Sequence, residues 1–267
     1  MAKIYSGRNS AFVKLISSMT NRYQTWEIWA DFITMVALAL SQPLDFREDR
    51  EKRYLDTAAK HSREELNNFV RMSEMLTESF ENDRDQDLLG SLYMELDLGN
   101  HWTGQFFTPY NVCKAMAQVC TYQAVDLINE KGYITMNDCA CGAGATLIAG
   151  VNSVQEWLRK AGSPLNFQDH VLVVAQDLSE ITALMCYIQL SLLGIAAIVK
   201  VGDSIKDPFN YDVLAAPHDD NLYFTPMYFS NVWNGRKMAL FLDMVLKTSG
   251  TRKSQSSSGK IDLSDLI

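Results

Sequence analysis

The sequence has no cluster of basic residues, and acidic side chains outnumber basic ones over its 267 residues. It contains 24 Lys and Arg against 32 Asp and Glu, which gives a formal net charge of −8. Proteins that bind duplex DNA unaided usually present a basic face. The charge therefore disfavours a free-standing DNA-binding protein, and we expect any contact with DNA to be assisted by a partner.

Cysteine is scarce and never occurs in a Cys-x-x-Cys pair. The five cysteines are Cys113, Cys120, Cys139, Cys141 and Cys186. Structural zinc sites commonly draw their ligands from such pairs, so we predict no metal site. An odd number of cysteines, in segments that look like helices or loops, favours reduced thiols and a cytoplasmic protein.

Long apolar runs are also missing. The longest, residues 32–40, is too short to span a bilayer, and it follows Asp31. The N-terminus lacks the charged and apolar pattern of a signal peptide. These absences predict a cytoplasmic protein without a membrane segment.

The first third of the sequence has a helical pattern. Apolar residues recur three and four positions apart over residues 10–98, which is typical of amphipathic helices. We predict an N-terminal helical domain over residues 1–98 and a second domain over residues 99–250. The polar, Ser-rich segment 251–267 is predicted to be a disordered tail.

From about residue 104 the pattern changes to an alternation of β-type and helical runs. The predicted strands are residues 133–137, 171–175, 198–201 and, less regularly, 212–216. Helices are predicted over residues 144–161 and 179–193. This alternation indicates right-handed βαβ units. The predicted fold class is therefore α/β, with a Rossmann-like domain containing a shortened, mainly parallel sheet.

The most informative segment is Asp-Cys-Ala-Cys-Gly-Ala-Gly-Ala-Thr at residues 138–146, directly after the first predicted strand. Asp138 ends the strand, and Gly142 and Gly144 allow the backbone to approach a ligand closely. The loop lacks the Lys-Ser/Thr of a P-loop and the full Gly-x-Gly-x-x-Gly of a dinucleotide fold. A carboxylate here repels a pyrophosphate but suits an ammonium and a sulfonium, which points to S-adenosylmethionine. An ordinary glycine-rich turn is the alternative.

Three aspartates occupy equivalent positions after the first three predicted strands: Asp138, Asp177 and Asp203. Ligands of open α/β sheets bind at the carboxyl ends of the strands, so we expect these side chains to converge. Asp177 could accept hydrogen bonds from both ribose hydroxyls, and Asp203 from the adenine amine. Leu178 and Ile205 could sandwich the adenine ring. Alternatively, Asp177 and Asp203 only cap the elements that follow them.

These motifs resemble those of the N-6 adenine-specific DNA methylase family, which includes the modification subunits of type I restriction-modification systems. Gly-Gln-Phe-Phe-Thr-Pro at residues 104–109 is similar to the first cofactor motif of that family. The loop at residues 138–144 resembles its Asp-Pro-x-Cys-Gly-x-Gly loop, with Cys where Pro is usual. Residues 175–178 and 202–204 resemble the second and third motifs, in the same order. The resemblance covers about residues 100–205.

The resemblance implies an S-adenosylmethionine-dependent methyltransferase and assigns roles to individual residues. Phe107 and Thr108 would hold the methionine end of the cofactor, and Asp138 would lie near its ammonium group. The second aspartate would bind the ribose and the third the adenine. The implied cofactor-binding residues are Phe107, Thr108, Asp138, Gly142, Gly144, Asp177, Leu178, Asp203 and Ser204.

The catalytic motif of the family, Asn-Pro-Pro followed by an aromatic residue, is absent from its expected position, where Ala216 replaces the Asn. In that motif the Asn side chain and the first Pro carbonyl accept hydrogen bonds from the target adenine amine, and the aromatic ring stacks on the flipped base. Thr-Pro-Met-Tyr at residues 225–228 has a related order, so Thr225, Pro226 and Tyr228 are predicted to be catalytic. A turn with packing aromatics is the alternative.

The sequence leaves two main functions open. One is a small DNA adenine-N6 methyltransferase that works alone or needs a partner subunit. The other is a catalytically inactive protein that binds S-adenosylmethionine and regulates or assembles with another complex. A methyltransferase of RNA or protein would keep the same cofactor site. Because the family has further strands after the fourth, we expect the fourth strand to lie at an exposed sheet edge. The aromatic segment 223–233 could cover this edge, or a protein partner or a second copy could.

Overall fold

The protein is described here by a computed structural model that covers residues 8–98 and 107–256, with side chains described for residues 11–98 and 107–247. Its first part is helical, as the apolar spacing predicted. The helices are α1 (Arg8–Met19), α2 (Thr25–Ser41), α3 (Glu48–Ala58), α4 (Arg63–Asn82) and α5 (Leu88–Glu95). Among the residues covered, no helix combines the length and the apolar character that crossing a membrane requires.

An α/β region follows. Its helices are α6 (Tyr110–Cys120), α7 (Ala124–Lys131), α8 (Ala145–Lys160), α9 (Phe167–His170), α10 (Glu180–Leu192) and α11 (Asn231–Ser256), with a 3-10 turn at Pro226–Phe229. Its strands are β1 (Ile134–Asp138), β2 (Val171–Asp177), β3 (Ala196–Val201) and β4 (Leu222–Phe224). The mixed α/β class and the two helices predicted from the sequence, now α8 and α10, are confirmed.

The four strands form one sheet in the order β1-β2-β3-β4. The first three are parallel, whereas β4 runs antiparallel to β3, with Ile198 opposite Phe224. The strand predicted at residues 212–216 is wrong, because these residues form a turn in which Asp212 accepts a hydrogen bond from the Leu214 backbone. The fourth strand instead lies ten residues later in the chain, at the aromatic segment.

The last helix also differs from the prediction. α11 continues to Ser256, although the polar composition predicted a disordered tail from residue 251. Residues 251–256 contain no Pro or Gly, so nothing in their backbone chemistry ends the helix there. The rest of the predicted tail, residues 257–267, lies outside the described part of the chain.

The two faces of the sheet pack against different layers. Val171 and Val173 of β2 belong to a large core that also contains residues of α8 and α10. Leu172 points the other way, into a smaller core with Tyr228 and Trp233. This alternation follows from the two-residue period of a strand, and it explains why β2 is buried along its whole length.

The large core crosses the domain boundary that the sequence predicted at residue 98. It contains buried residues of α1, α2, α4 and α5 together with residues of α8, β2 and α10. Polar contacts cross the same boundary: Arg53 pairs with Glu180, and Arg50 donates to the Leu222 carbonyl at 2.8 Å. The division into two domains stays a sequence-based prediction, and the two segments share one core.

Candidate functional site

The glycine loop joins β1 to α8 with two residues in the left-handed region. Gly142 has a φ of 53° and Gly144 a φ of 96°. A Cβ atom at Gly144 would lie 2.8 Å from the Cys186 sulfur, a distance that real Cβ atoms do not tolerate. Glycine is therefore required at 144 by the packing of the loop on α10, in addition to any approach of a ligand.

Phe107 lies against this loop. A Cβ atom at Gly142 would be 3.1 Å from the Phe107 ring, which also packs 5.2 Å from the ring of Tyr93. Thr108 is exposed beside it, and its carbonyl accepts from the Cys113 thiol at 3.7 Å. The structure thus brings Phe107 to the glycine loop. Residues 104–106 of the predicted motif lie outside the described part of the chain.

Asp138 ends β1 at the start of the loop and is partly exposed. One carboxylate oxygen accepts from the Ala140 backbone at 3.1 Å, and the other accepts from the Thr146 hydroxyl. A carboxylate has about four lone-pair positions, so two donors leave acceptor capacity for a ligand. Thr146 belongs to the first turn of α8, whose initial N–H groups have no intrahelical acceptor and favour an anion nearby.

Asp177 is buried, and its carboxylate is held by three donors of the chain itself. Gly142 N donates at 2.8 Å, and Ser179 N and the Thr182 hydroxyl each donate at 2.9 Å. The side chain therefore ties the glycine loop to the first turn of α10, as the capping alternative had it. Its contact with a ribose stays a prediction.

Asp203 turns the chain after β3. Its carboxylate accepts from the backbone of Ile205 at 2.9 Å and of Lys206 at 3.2 Å, and these hydrogen bonds lower its pKa. Ser204 is half-buried in the same turn. Leu178 and Ile205, the predicted adenine sandwich, are 73% and 92% exposed. Two large apolar side chains therefore stand in solvent at the carboxyl rim of the sheet.

Two buried glutamines hold this rim, and the sequence reasoning missed both. Gln189 of α10 donates to the Ala143 carbonyl at 2.7 Å and to Asp87 at 2.8 Å, and it accepts from Leu89 N at 3.0 Å. Burial raises the pKa of Asp87. Gln176 of β2 donates to the Gly202 and Asp207 carbonyls. A polar residue inside an otherwise apolar strand or helix was the available signal.

The segment predicted to be catalytic lies at the other rim of the sheet, and its catalytic role stays a prediction. Thr225 is fully buried, and its hydroxyl donates to the Ile195 carbonyl at 2.7 Å and accepts from Ala197 N at 2.8 Å. Tyr228 is buried too and donates to the Val213 carbonyl at 3.0 Å. Pro226 begins the 3-10 turn. Because β4 is antiparallel, its end meets the start of β3, away from the three aspartates.

Comparison with known proteins bears on this geometry. The sequence model described as N-6 DNA Methylase matches residues 84–246, which is more than half of the chain. The chain belongs to this family. The match begins before α5, so the segment that carries Asp87 is part of the family region. No curated protein and no solved structure matches the chain.

The methylase family implies S-adenosylmethionine as the cofactor, and some of the groups at the rim fit this molecule. Asp138 offers a carboxylate to an ammonium, the start of α8 offers N–H groups to a carboxylate, and Leu178 and Ile205 offer apolar surface to a flat ring. Asp177 fits less well, because its lone pairs already serve three donors. Over residues 8–98 and 107–256, no three His, Cys, Asp or Glu side chains come together as metal ligands.

Proposed function

We propose that this member of the N-6 DNA Methylase family binds S-adenosylmethionine at the carboxyl rim of its sheet. We further propose that it serves adenine-N6 methylation of DNA as one subunit of a larger enzyme. The observation that carries the proposal is the rim itself. Phe107, the glycine loop and Asp138 converge there, and Leu178 and Ile205 are exposed beside them.

The roles follow from the chemistry of each side chain. Asp138 would hold the ammonium of the methionine end, and Phe107 would line the same end against the loop. Leu178 and Ile205 would close on the adenine, with Asp203 accepting from its amine. Asp177 would act mainly by fixing Gly142 through the 2.8 Å hydrogen bond, since that contact sets the loop that faces the ligand. When bound, S-adenosylmethionine would supply a methyl group on a positively charged sulfur.

The need for a partner rests on what this chain lacks at the rim. Ala216 stands where the family motif has its Asn, and it packs against the small core with no side-chain acceptor. Thr225 is fully buried at the opposite rim. Activation of an adenine amine requires acceptors close to the methyl group, and neither Ala216 nor Thr225 offers one at this rim. The acceptors would come from another polypeptide.

A second candidate is a catalytically inactive S-adenosylmethionine-binding subunit. The same two observations, the replacement by Ala216 and the burial of Thr225, favour it. The candidates share the cofactor site and differ only in turnover.

Titration calorimetry with S-adenosylmethionine tests the cofactor site. We expect saturable binding by the full chain and a loss of at least about tenfold in affinity for Leu178→Asp and for Ile205→Asp, because each places a charge on apolar ligand surface. Leu55→Asp, at a 56% exposed position of α3, is the matched control and should bind normally. Absence of heat with the wild-type chain, or equal losses in all three variants, would refute the site.

Methyl transfer separates the two candidates. The chain is incubated with radiolabelled S-adenosylmethionine and adenine-containing duplex DNA, alone and with the proteins that copurify with it. Incorporation only in the presence of a copurifying protein supports the subunit of a methyltransferase. Cofactor binding without incorporation in any mixture supports the inactive subunit.

A further inference from the structure

The two edges of the sheet are protected to different degrees. β4 has only three residues, and Arg50 donates to the carbonyls of Asp220 at 3.0 Å and Leu222 at 2.8 Å. β1 has five residues, contains no Lys, Arg or Pro, and among the described residues pairs only with β2. Short strands, charges and covering groups are the usual protection of an edge, and of these β1 has only the charge of Asp138 at its carboxyl end.

A cleft of about 370 Å³ runs beside β1 along its full length, from Ile134 to Asp138. Its other walls come from α6, α7 and the start of α8, and they include Met116 and Leu127. Within the described part of the chain, Asp138 is the only charged residue that lines it. Among the described residues, the unpaired edge of β1 therefore faces a space whose walls are uncharged apart from Asp138, which also belongs to the candidate cofactor site.

Helix α6 adds apolar surface next to this cleft. Met116, which lines the cleft, is 50% exposed, and Val112 and Val119, about one turn before and after it, are 44% and 72% exposed. Two polar side chains of α6 are engaged elsewhere: Lys114 pairs with Asp85, and Gln118 donates to Glu156 at 2.9 Å. Exposed apolar positions that follow one helix face next to an open edge mark an interaction surface.

We infer that the β1 cleft receives an extended, uncharged apolar segment of a partner polypeptide, which adds to the sheet as a strand parallel to β1. Strand addition satisfies the unpaired backbone of an edge, and side-chain pockets supply specificity. The parallel direction rests on the proposed function: the carboxyl end of such a strand meets Asp138 at the rim. Residues that follow the added strand would then stand next to the cofactor site.

The charge of the cleft argues against a second copy of β1 as the occupant. In a parallel arrangement the two Asp138 carboxylates would lie side by side, and like charges in adjacent strands repel. In an antiparallel arrangement the second Asp138 would lie opposite Ile134, an apolar residue of the cleft, where burial of a carboxylate is costly. An uncharged strand meets neither penalty.

A fluorescein-labelled peptide tests the surface. Its core is Val-Leu-Val-Val-Ala, the sequence of residues 171–175, which already pairs in parallel with β1 from Ile134 to Asp138. One Lys at each end keeps it soluble. We expect saturable binding to the full chain by fluorescence anisotropy, and none for the same peptide with Pro at its central position, since Pro removes a backbone donor.

Two matched double variants locate the binding. T135K/N137K places two lysines on exposed positions of β1, whereas N67K/T77K makes the same changes on exposed positions of α4. We expect T135K/N137K to lower the affinity for the peptide at least about tenfold, because lysine on an edge blocks strand pairing. N67K/T77K should leave the affinity unchanged. A benzophenone at the carboxyl end of the peptide should crosslink near Asp138 and Thr146, and one at the amino end near Ile134.

Three outcomes would overturn the inference. These are no saturable binding, equal losses in both double variants, or crosslinks that show the reverse direction. Sedimentation gives a fourth: a dimer of the wild-type chain that T135K/N137K converts to a monomer would assign the edge to a second copy. Calorimetry with S-adenosylmethionine on the same proteins separates the proposals, because peptide binding without cofactor binding leaves the surface intact and removes only the proposed function.

Discussion

The two rims of the sheet differ in how their polar and apolar groups are used. At the amino rim, Thr225 and Tyr228 are buried, and every hydrogen bond described for their side chains is made within the chain. At the carboxyl rim, Asp138 and Asp203 are partly exposed, and Leu178 and Ile205 stand in solvent. Both rims carry a polar residue followed by aromatic or apolar residues, so their sequences look alike.

The difference shows that composition does not distinguish a ligand site from a structural turn. What distinguishes them is whether acceptor capacity and apolar surface remain available after the chain has folded. By that criterion the carboxyl rim is the candidate site. Four changes, in order of decreasing effect on stability, sharpen or break this comparison.

Thr225→Val should give the largest loss of stability. The change keeps the shape of the side chain but leaves the Ala197 N–H and the Ile195 carbonyl without their partner in a fully buried place. We expect a loss of about 3 kcal/mol in the free energy of unfolding, measured by urea denaturation. The affinity of the folded protein for S-adenosylmethionine should not change. A lower affinity for S-adenosylmethionine would indicate that Thr225 belongs to the cofactor site after all.

Thr182→Val is the matched change at the carboxyl rim. It removes the 2.9 Å hydrogen bond to Asp177, which leaves one donor fewer for a buried carboxylate. We expect a loss of about 2 kcal/mol, as for a hydrogen bond to a charged group. Here calorimetry should also detect weaker binding of S-adenosylmethionine, because Asp177 fixes Gly142. If Thr225→Val and Thr182→Val bound S-adenosylmethionine with equal affinity, the distinction between the two rims would be refuted.

Gly144→Ala tests the loop itself. A residue with a Cβ atom at a φ of 96° is strained by about 1–2 kcal/mol, and the new atom would also meet the Cys186 sulfur at 2.8 Å. We expect the variant to unfold at lower urea concentration. Adding Cys186→Ala should remove the destabilisation that comes from the clash with the sulfur. The destabilisation that comes from the backbone strain at Gly144 should remain. A double-mutant cycle without coupling would contradict the contact.

Lys237, near the amino rim, should make the smallest and most pH-dependent contribution. Its ammonium lies 3.5 Å from the centre of the Tyr228 ring and donates to the Tyr228 carbonyl at 2.8 Å. Burial lowers its pKa to about 8. The unfolded chain therefore binds more protons than the folded chain between about pH 8 and the usual range of lysine.

The contribution of Lys237 to the free energy of unfolding should thus rise with pH across that window. Lys237→Met should remove this rise, so the difference between wild type and variant, measured by urea denaturation from pH 7 to pH 10, should depend on pH. A difference that stays constant would show that Lys237 titrates normally.

Much of the α/β order follows from local pattern. The glycine loop, the helices after it and the strands β1 to β3 lie where alternation and turn chemistry predicted them, because each is set by residues close in the sequence. The proximity of Phe107 to Gly142 was predicted only from the family resemblance. The two residues lie 35 positions apart, and no rule of local spacing connects them.

The prediction failed where long-range contacts decide. Residues 212–216 have a strand-like composition, yet β4 forms at Leu222–Phe224, where Arg50 of α3 holds the backbone from 172 residues away. The position of the segment predicted to be catalytic depends on the same contacts, because the direction of β4 decides which rim its end reaches. The hydrogen bond from Gly142 to Asp177 could not be read from sequence either, since the two residues lie 35 positions apart.

Gln189 has a consequence for any attempt to shorten this protein. Its side chain is bonded at once to the glycine loop, to Asp87 and to the backbone of α5. A fragment that starts after residue 98 would uncover the apolar side of α10 and leave this amide without two of its three partners. Folding of the first five helices and occupancy of the rim are therefore thermodynamically linked, so a ligand bound at the loop should raise the melting temperature of α5 as well.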